Sequence, residues 1–178
     1  MRIINTKFKG LKVISQKNNK DIRGNLRETF KKKVIKWDDL IFDYATTSKK
    51  KVLRGFHFQS KLQQAKFVSV LKGKIFDSVV DLRKSSKTFG KSFSIILSDK
   101  NCLSLYIPEG FAHAYYTYSK MSIIYYKLSN YYEPKFEDGI IWNDLSLNIK
   151  WPNRKPKLSP KDKKLNTFSQ FIKTYKGL

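Results

Sequence analysis

The sequence predicts an all-β fold, a sandwich or barrel closed by one or two short helices at its C-terminal end. Three observations carry this. Extended runs recur roughly every ten residues through the middle of the chain, at 67–71, 75–82, 92–97, 102–107, 111–118 and 121–128. Turn material separates the later ones: Ser98-Asp99-Lys100-Asn101, Pro108-Glu109-Gly110 and Ser119-Lys120. Ser159-Pro160-Lys161-Asp162 then reads as a helix start, with Ser as N-cap, Pro at the first helical position and Asp in the first turn.

The elements follow in order. Residues 3–14 mix apolar and polar positions and predict a first strand at a sheet edge. Lys17-Asn18-Asn19-Lys20-Asp21 is turn-rich, and Asp21-Ile22-Arg23-Gly24-Asn25-Leu26-Arg27-Glu28 reads as a turn running into a strand. Val34, Trp37 and Leu40 at helical spacing predict a short helix over 33–40. Ile41 to Thr47 is extended, and Ser48-Lys49-Lys50-Lys51 is a charged loop. Val52-Leu53-Arg54-Gly55-Phe56-His57-Phe58-Gln59 is the central strand. Lys72-Gly73-Lys74 is a hairpin signal between the runs at 67–71 and 75–82, and Ser85 to Lys91 is a polar loop. In the tail, Phe168, Phe171, Ile172 and Tyr175 give the helices an apolar side.

A chain of 178 residues suits one domain, 1–178, with a sizeable core. No apolar run approaches the roughly 20 residues that span a bilayer, and the N-terminus lacks the long apolar run of a signal peptide. One cysteine, Cys102, excludes an internal disulfide and a Cys-rich metal site. The expected protein is therefore soluble, cytoplasmic and not membrane-bound. The net charge of +23 raises nucleic acid as a partner. The lysines, however, are spread over the whole chain and outnumber the arginines that form bidentate forks. The charge reads as a solvated surface whose positive field draws in anionic substrates, a nucleotide diphosphate included.

His57 and His113 are the only histidines, each inside a dense apolar and aromatic stretch. They stand apart with no His-x-His pair, so a metal of the kind small jelly rolls often hold lacks its ligands. There is no Gly-x-Ser-x-Gly turn and no Gly-rich phosphate loop. Acid–base chemistry without metal or cofactor remains, with His57, Lys66, His113, Tyr126 and Asp162 as candidates. Imidazole accepts and returns protons near neutral pH, and a carboxylate on its far nitrogen fixes the tautomer. A tyrosine supplies an acid on the opposite face and a lysine stabilises an oxyanion. That set suits removal of a proton next to a carbonyl. Taken singly, each has a plainer reading: either histidine as a hydrogen-bonded core residue, Tyr126 as a strand residue, Lys66 as one more surface lysine, Asp162 as a helix-cap charge.

Together these stretches resemble the dTDP-4-dehydrorhamnose 3,5-epimerase family, metal-free cupin-like jelly rolls, from about residue 10 to residue 165. The resemblance rests on Asp21-Ile22-Arg23-Gly24 followed by Glu28, on the strand carrying Arg54, Gly55 and His57, and on Gln64-Ala65-Lys66-Phe67-Val68. It continues through Val80-Asp81-Leu82-Arg83-Lys84-Ser85-Ser86-Lys87-Thr88-Phe89-Gly90 and Ile107-Pro108-Glu109-Gly110-Phe111-Ala112-His113. It closes on Asn130-Tyr131-Tyr132, Ile141-Trp142-Asn143-Asp144, Ile149-Lys150-Trp151-Pro152 and Leu158-Ser159-Pro160-Lys161-Asp162.

The resemblance implies roles. His57 is the base that removes C3 and C5 protons of a nucleotide-linked 4-keto-6-deoxy sugar, and Asp162 orients it. Tyr126 protonates the opposite face, Lys66 stabilises the enolate oxygen and His113 contacts the sugar. Arg23, Glu28, Arg54, Glu137 and Lys161 hold the nucleotide sugar, and Tyr132 stacks on its base. It also implies a homodimer that exchanges N-terminal strands, with Arg23 and Glu28 serving the neighbouring subunit. The chain departs from the family at Phe42 and Tyr44, where a Gln-x-Asn pair is usual, in the shorter loop Ser60-Lys61-Leu62-Gln63, and at Ala114, where Gly is usual. Strict alternation sets Arg54 and His57 on opposite strand faces, unless Gly55 marks a bulge. The rival readings are a single-centre epimerase, a 3,4-ketoisomerase on a related nucleotide sugar, and a basic nucleic-acid-binding protein.

Overall fold

The computed structural model describes residues 1–37 and 39–178. Its strands are β1 (Arg2–Asn5), β2 (Lys12–Ser15), β3 (Asn18–Asp21), β4 (Gly24–Arg27), β5 (Phe42–Lys49), β6 (Leu53–Gln59), β7 (Lys66–Lys72), β8 (Lys74–Asp81), β9 (Ser92–Ser98), β10 (Leu103–Ile107), β11 (Phe111–Thr117), β12 (Met121–Leu128) and β13 (Glu137–Gly139). Two antiparallel sheets form a cupin-like sandwich, one ordered β1-β2-β10-β7-β12-β5, the other β13-β6-β11-β8-β9. β3 and β4 make a separate two-stranded hairpin.

Alternation builds the interior. Val13, Val68, Val70, Leu105, Ile107, Ile124 and Leu128 of the first sheet pack against Ile75, Val79, Leu97, Phe111 and Tyr115 of the second. Each such side chain, fully buried, contributes about 1.5–3 kcal/mol. The second sheet is also covered on its outer face. Phe56, Phe58, Ala112 and Ala114 meet Leu147 and Phe171 there, which is why every residue of β11 is buried. Phe171 belongs to α1 (Phe168–Tyr175), which starts at Thr167 through a capping box with Gln170. Its ring meets Phe58 edge-on at 5.4 Å.

Several expectations need correction. Lys72-Gly73-Lys74 is not a hairpin, because β7 and β8 lie in different sheets. Gly73, at φ +88°, is the corner where the chain crosses over; a Cβ there would sit 2.6 Å from the Met121 carbonyl oxygen. A glycine between two β-rich runs serves a sheet change as well as a turn. The turn-rich residues 17–21 hold β3, paired to β4 around Ile22-Arg23. Residues 3–14 are two strands, with β1 at the sheet edge. Ser48 and Lys49 continue β5.

The helix expected over 33–40 takes in Asp38, which lies outside the described residues. The described ones make a single turn, in which the Lys31 carbonyl accepts from both Val34 and Ile35. Ile35 then plugs the outer face of the first sheet against Ile14, Phe67 and Tyr106. Packing of that one side chain overrides helical spacing. The helix start at Ser159 yields only a 3-10 turn, Asp162–Lys164, because Leu165 is extended.

Candidate active site

The site begins with a break in alternation. Along β6 and β11, His57 is opposite His113 and Arg54 is opposite Tyr115. Three steps on β6 match two on β11, so β6 carries one extra residue, a bulge. Arg54 and His57 thereby share the face of Tyr115 and His113. Gly55 makes this possible: its φ is +102°, and a Cβ there would stand 2.4 Å from the His113 carbonyl oxygen.

At the rim, His57 Nε2 is 2.6 Å from Asp162 Oδ1. The 3-10 turn delivers this carboxylate from outside both sheets, fixed by the Asp162 N–H donating to Ser159 Oγ at 3.0 Å. Burial pushes the Asp162 carboxyl up, but the hydrogen bond and charge of His57, the Ser159 bond and Arg54 outweigh it and hold it below the usual range. A carboxylate on Nε2 keeps the ring proton there and leaves Nδ1 with its lone pair. Nδ1 is 3.7 Å from Glu137 Oε1. Glu137 Oε2 accepts from the Tyr132 hydroxyl at 2.5 Å and from the Lys161 ammonium. Burial raises Glu137 as well, and those two hydrogen bonds, with His57 beside it, bring it below its ordinary value.

Deeper in, His113 Nε2 is 2.8 Å from Asp77 Oδ2, both buried. The Tyr126 ring lies edge-on to His113, centroids 6.0 Å apart. Burial, the neighbouring phenols of Tyr115 and Tyr44 and the Asp77 charge raise the Tyr126 phenol well above 10, with Arg54 pulling the other way. It therefore stays protonated as a donor. Burial lowers the Lys66 ammonium to about 8, while Glu137 and Asp77 favour its charge. Arg54 Nε donates to Ser48 Oγ at 3.1 Å, and Ser48 Oγ is 2.9 Å from the Tyr115 hydroxyl.

His57, Asp162, Glu137, Lys161 and Tyr132 are thus linked; His113 and Tyr126 are buried, Lys66 is half-buried, and Arg54 is exposed. Arg23 and Glu28 are elsewhere. Arg23 pairs with Asp21 on the separate hairpin, and Glu28 pairs with Lys31. Sequence reading missed Asp77, one of two acids inside the β-rich run 75–82, and Tyr115, two residues beyond His113 on the same face. Among the described residues, no three His, Cys, Asp or Glu side chains converge as a metal site. A cleft of about 660 Å³ between Trp142, Trp151 and Arg154 shares no residue with this constellation; Trp151 packs on Phe56, on the outer side of the sheet.

Proton donors and acceptors brought together between two sheets suit isomerisation of a carbohydrate, and the chain is a carbohydrate epimerase on a cupin-like jelly roll. More narrowly, it belongs to the dTDP-4-dehydrorhamnose 3,5-epimerase family, whose model matches residues 5–170. It is 40% identical over 168 residues to the dTDP-4-dehydrorhamnose 3,5-epimerase of Shigella flexneri, covering 91% of this chain and 93% of that one. Its fold matches the crystal structure of the dTDP-6-deoxy-D-glucose-3,5-epimerase of Legionella pneumophila Philadelphia 1 in complex with dTDP-4-keto-L-rhamnose. That match has a TM-score of 0.90 at 41% identity over 93% of this chain and 92% of that one. The dTDP-4-dehydrorhamnose 3,5-epimerase of Bacillus anthracis with TDP and PPi bound matches with a TM-score of 0.89 at 36% identity, over 93% and 98%.

Proposed function

We propose that residues 1–178 form one domain that inverts C3 and C5 of a 4-keto-6-deoxy sugar carried on dTDP. The observation that carries the proposal is the His57–Asp162 pair at 2.6 Å, with His57 on one sheet and Tyr126 and Lys66 on the other. His57 Nδ1 takes the C–H proton, and the electron pair moves onto the 4-keto oxygen, where Lys66 stabilises the enolate. The Tyr126 hydroxyl returns a proton to the opposite face. Each centre loses one proton and gains one, so no redox partner or cofactor is consumed. His113 and Arg54 hold the sugar and its diphosphate, Glu137 and Lys161 order the rim, and Tyr132, half exposed, stacks on the base. The dTDP-sugar in the Legionella relative supports this substrate class.

The active form is a homodimer that exchanges N-terminal strands. All four residues of β1 are exposed, and the β3–β4 hairpin leaves Ile22 and Leu26 uncovered with Arg23 at its tip. Arg23 and Glu28 then serve the neighbouring subunit's substrate; a monomer by light scattering would remove that assignment. No described helix is long and apolar enough to cross a membrane. We assign the enzyme to the cytoplasm, where a nucleotide-linked substrate is met.

The test is NMR of dTDP-4-keto-6-deoxyglucose in D₂O with wild type and His57→Ala. Deuterium entering C3 and C5 with wild type only is the expected result. Uptake at one carbon reads as a single-centre epimerase, and a moved carbonyl without C5 inversion reads as a 3,4-ketoisomerase. No uptake at all sinks the proposal.

A further inference from the structure

Inversion asks more of Tyr126 than acidity, because its hydroxyl must be aimed. Among the described residues that hydroxyl makes no hydrogen bond; Ser48 and Thr46 go to Tyr115 instead. What holds the ring is aromatic. On β5, Tyr44 is the register partner of Tyr126. The two rings stack at 5.0 Å with an interplanar angle of 25°. Phe42, two residues back on the same face, braces Tyr44 at 5.7 Å and itself meets Tyr131 at 5.6 Å. The four rings run from the buried Tyr126 to the exposed Tyr131. His113 also meets Tyr126 edge-on, at 6.0 Å.

We propose that Tyr44 is a positioning residue that aims the Tyr126 hydroxyl, and so decides whether an abstracted proton returns to the opposite face of the sugar or to the same one. This rests on Tyr126 being the acid, as argued above. Once His57 holds the proton, the enolate has two fates. His57 can give a proton back to the face it came from, which is exchange without inversion. Tyr126 can protonate the other face, which is inversion. Tyr44 touches neither reacting carbon; it changes only the share that goes through Tyr126. A residue that merely supported the fold would lower both fates together.

The experiment measures deuterium exchange and inversion separately, by NMR of the same 4-keto sugar in D₂O. It compares wild type, Tyr44→Phe, Tyr44→Leu, Tyr44→Ala and Tyr126→Phe. Tyr44→Phe keeps the ring and should match wild type. Tyr44→Ala should raise the ratio of exchange to inversion by about threefold to tenfold, the scale of one aromatic pair. Tyr44→Leu fills the space without stacking and should behave like Tyr44→Ala, which guards against a folding loss in the smaller variant. An unchanged ratio in both Tyr44→Ala and Tyr44→Leu overturns the inference, whether or not the overall rate falls. Tyr126→Phe should exchange but not invert. Normal inversion by that variant would overturn the reading of Tyr126 itself, a different failure from that of Tyr44.

Discussion

The described residues contain two histidine–aspartate pairs of nearly equal length in different surroundings. His57–Asp162 spans 2.6 Å and His113–Asp77 spans 2.8 Å. The first ring is 28% exposed and its partner comes from a 3-10 turn outside the sheets. The second ring is 5% exposed and its partner is on the adjacent strand, with Asp77 Oδ1 lacking a hydrogen bond among the described residues. The lesson is that a shared hydrogen bond does not define a base. On the proposed mechanism the difference is access: the His57 side chain is partly open to an incoming substrate, whereas that of His113 is enclosed.

The sharpest way to break this comparison is to mutate the two aspartates. Asp162→Asn removes the negative charge that holds the Nε2 proton and adds an amide donor that favours the other tautomer, so turnover should fall by about 10³- to 10⁴-fold while urea unfolding barely moves. Asp77→Ala strands a buried imidazole, and unfolding should show a loss of about 3 kcal/mol, with a smaller fall in turnover than Asp162→Asn. Were the two variants to trade behaviours, the rim pair would be structural and the inner pair the base.

A smaller effect tests the lysine between the pairs. Burial brings Lys66 from 10.5 to about 8, so its charged form is lost as pH rises through that value. The kcat/KM profile should bend down above about pH 8, and Lys66→Arg, charged throughout, should lose that bend. Stability goes the other way. Between about 8 and 10.5 the unfolded lysine binds more proton than the folded one, so this group's contribution to stability rises with pH across that window. An alkaline limb that Lys66→Arg leaves in place would take Lys66 out of the profile.

The strand ladder from β7 to β12 was legible because alternation and turn residues are local signals. The sheet assignment at Gly73 was not, since crossing a corner and reversing in a hairpin use the same residues. The order of their motifs singled out His57, Lys66, Tyr126 and Asp162, and the structure sets the first and last of these 2.6 Å apart. Asp77 escaped because one acid in a β-run carries no sign of facing a histidine 36 residues later. The Tyr44 stack escaped because it depends on the register of β5 against β12. Gly55 flagged a bulge, yet only the pairing with β11 fixes which two side chains end on one face.

Asp162 stands 105 residues after the histidine it serves, and that sets an order of events during synthesis. The residues of β6 and β11 are all synthesised before those of the 3-10 turn. Until that turn arrives, the His57 ring has no fixed proton and no fixed orientation. Phe171, further still along the chain, then covers the sheet behind it. On the proposed mechanism, a chain cut before the 3-10 turn would carry His57 without the carboxylate that orients it and should not turn over.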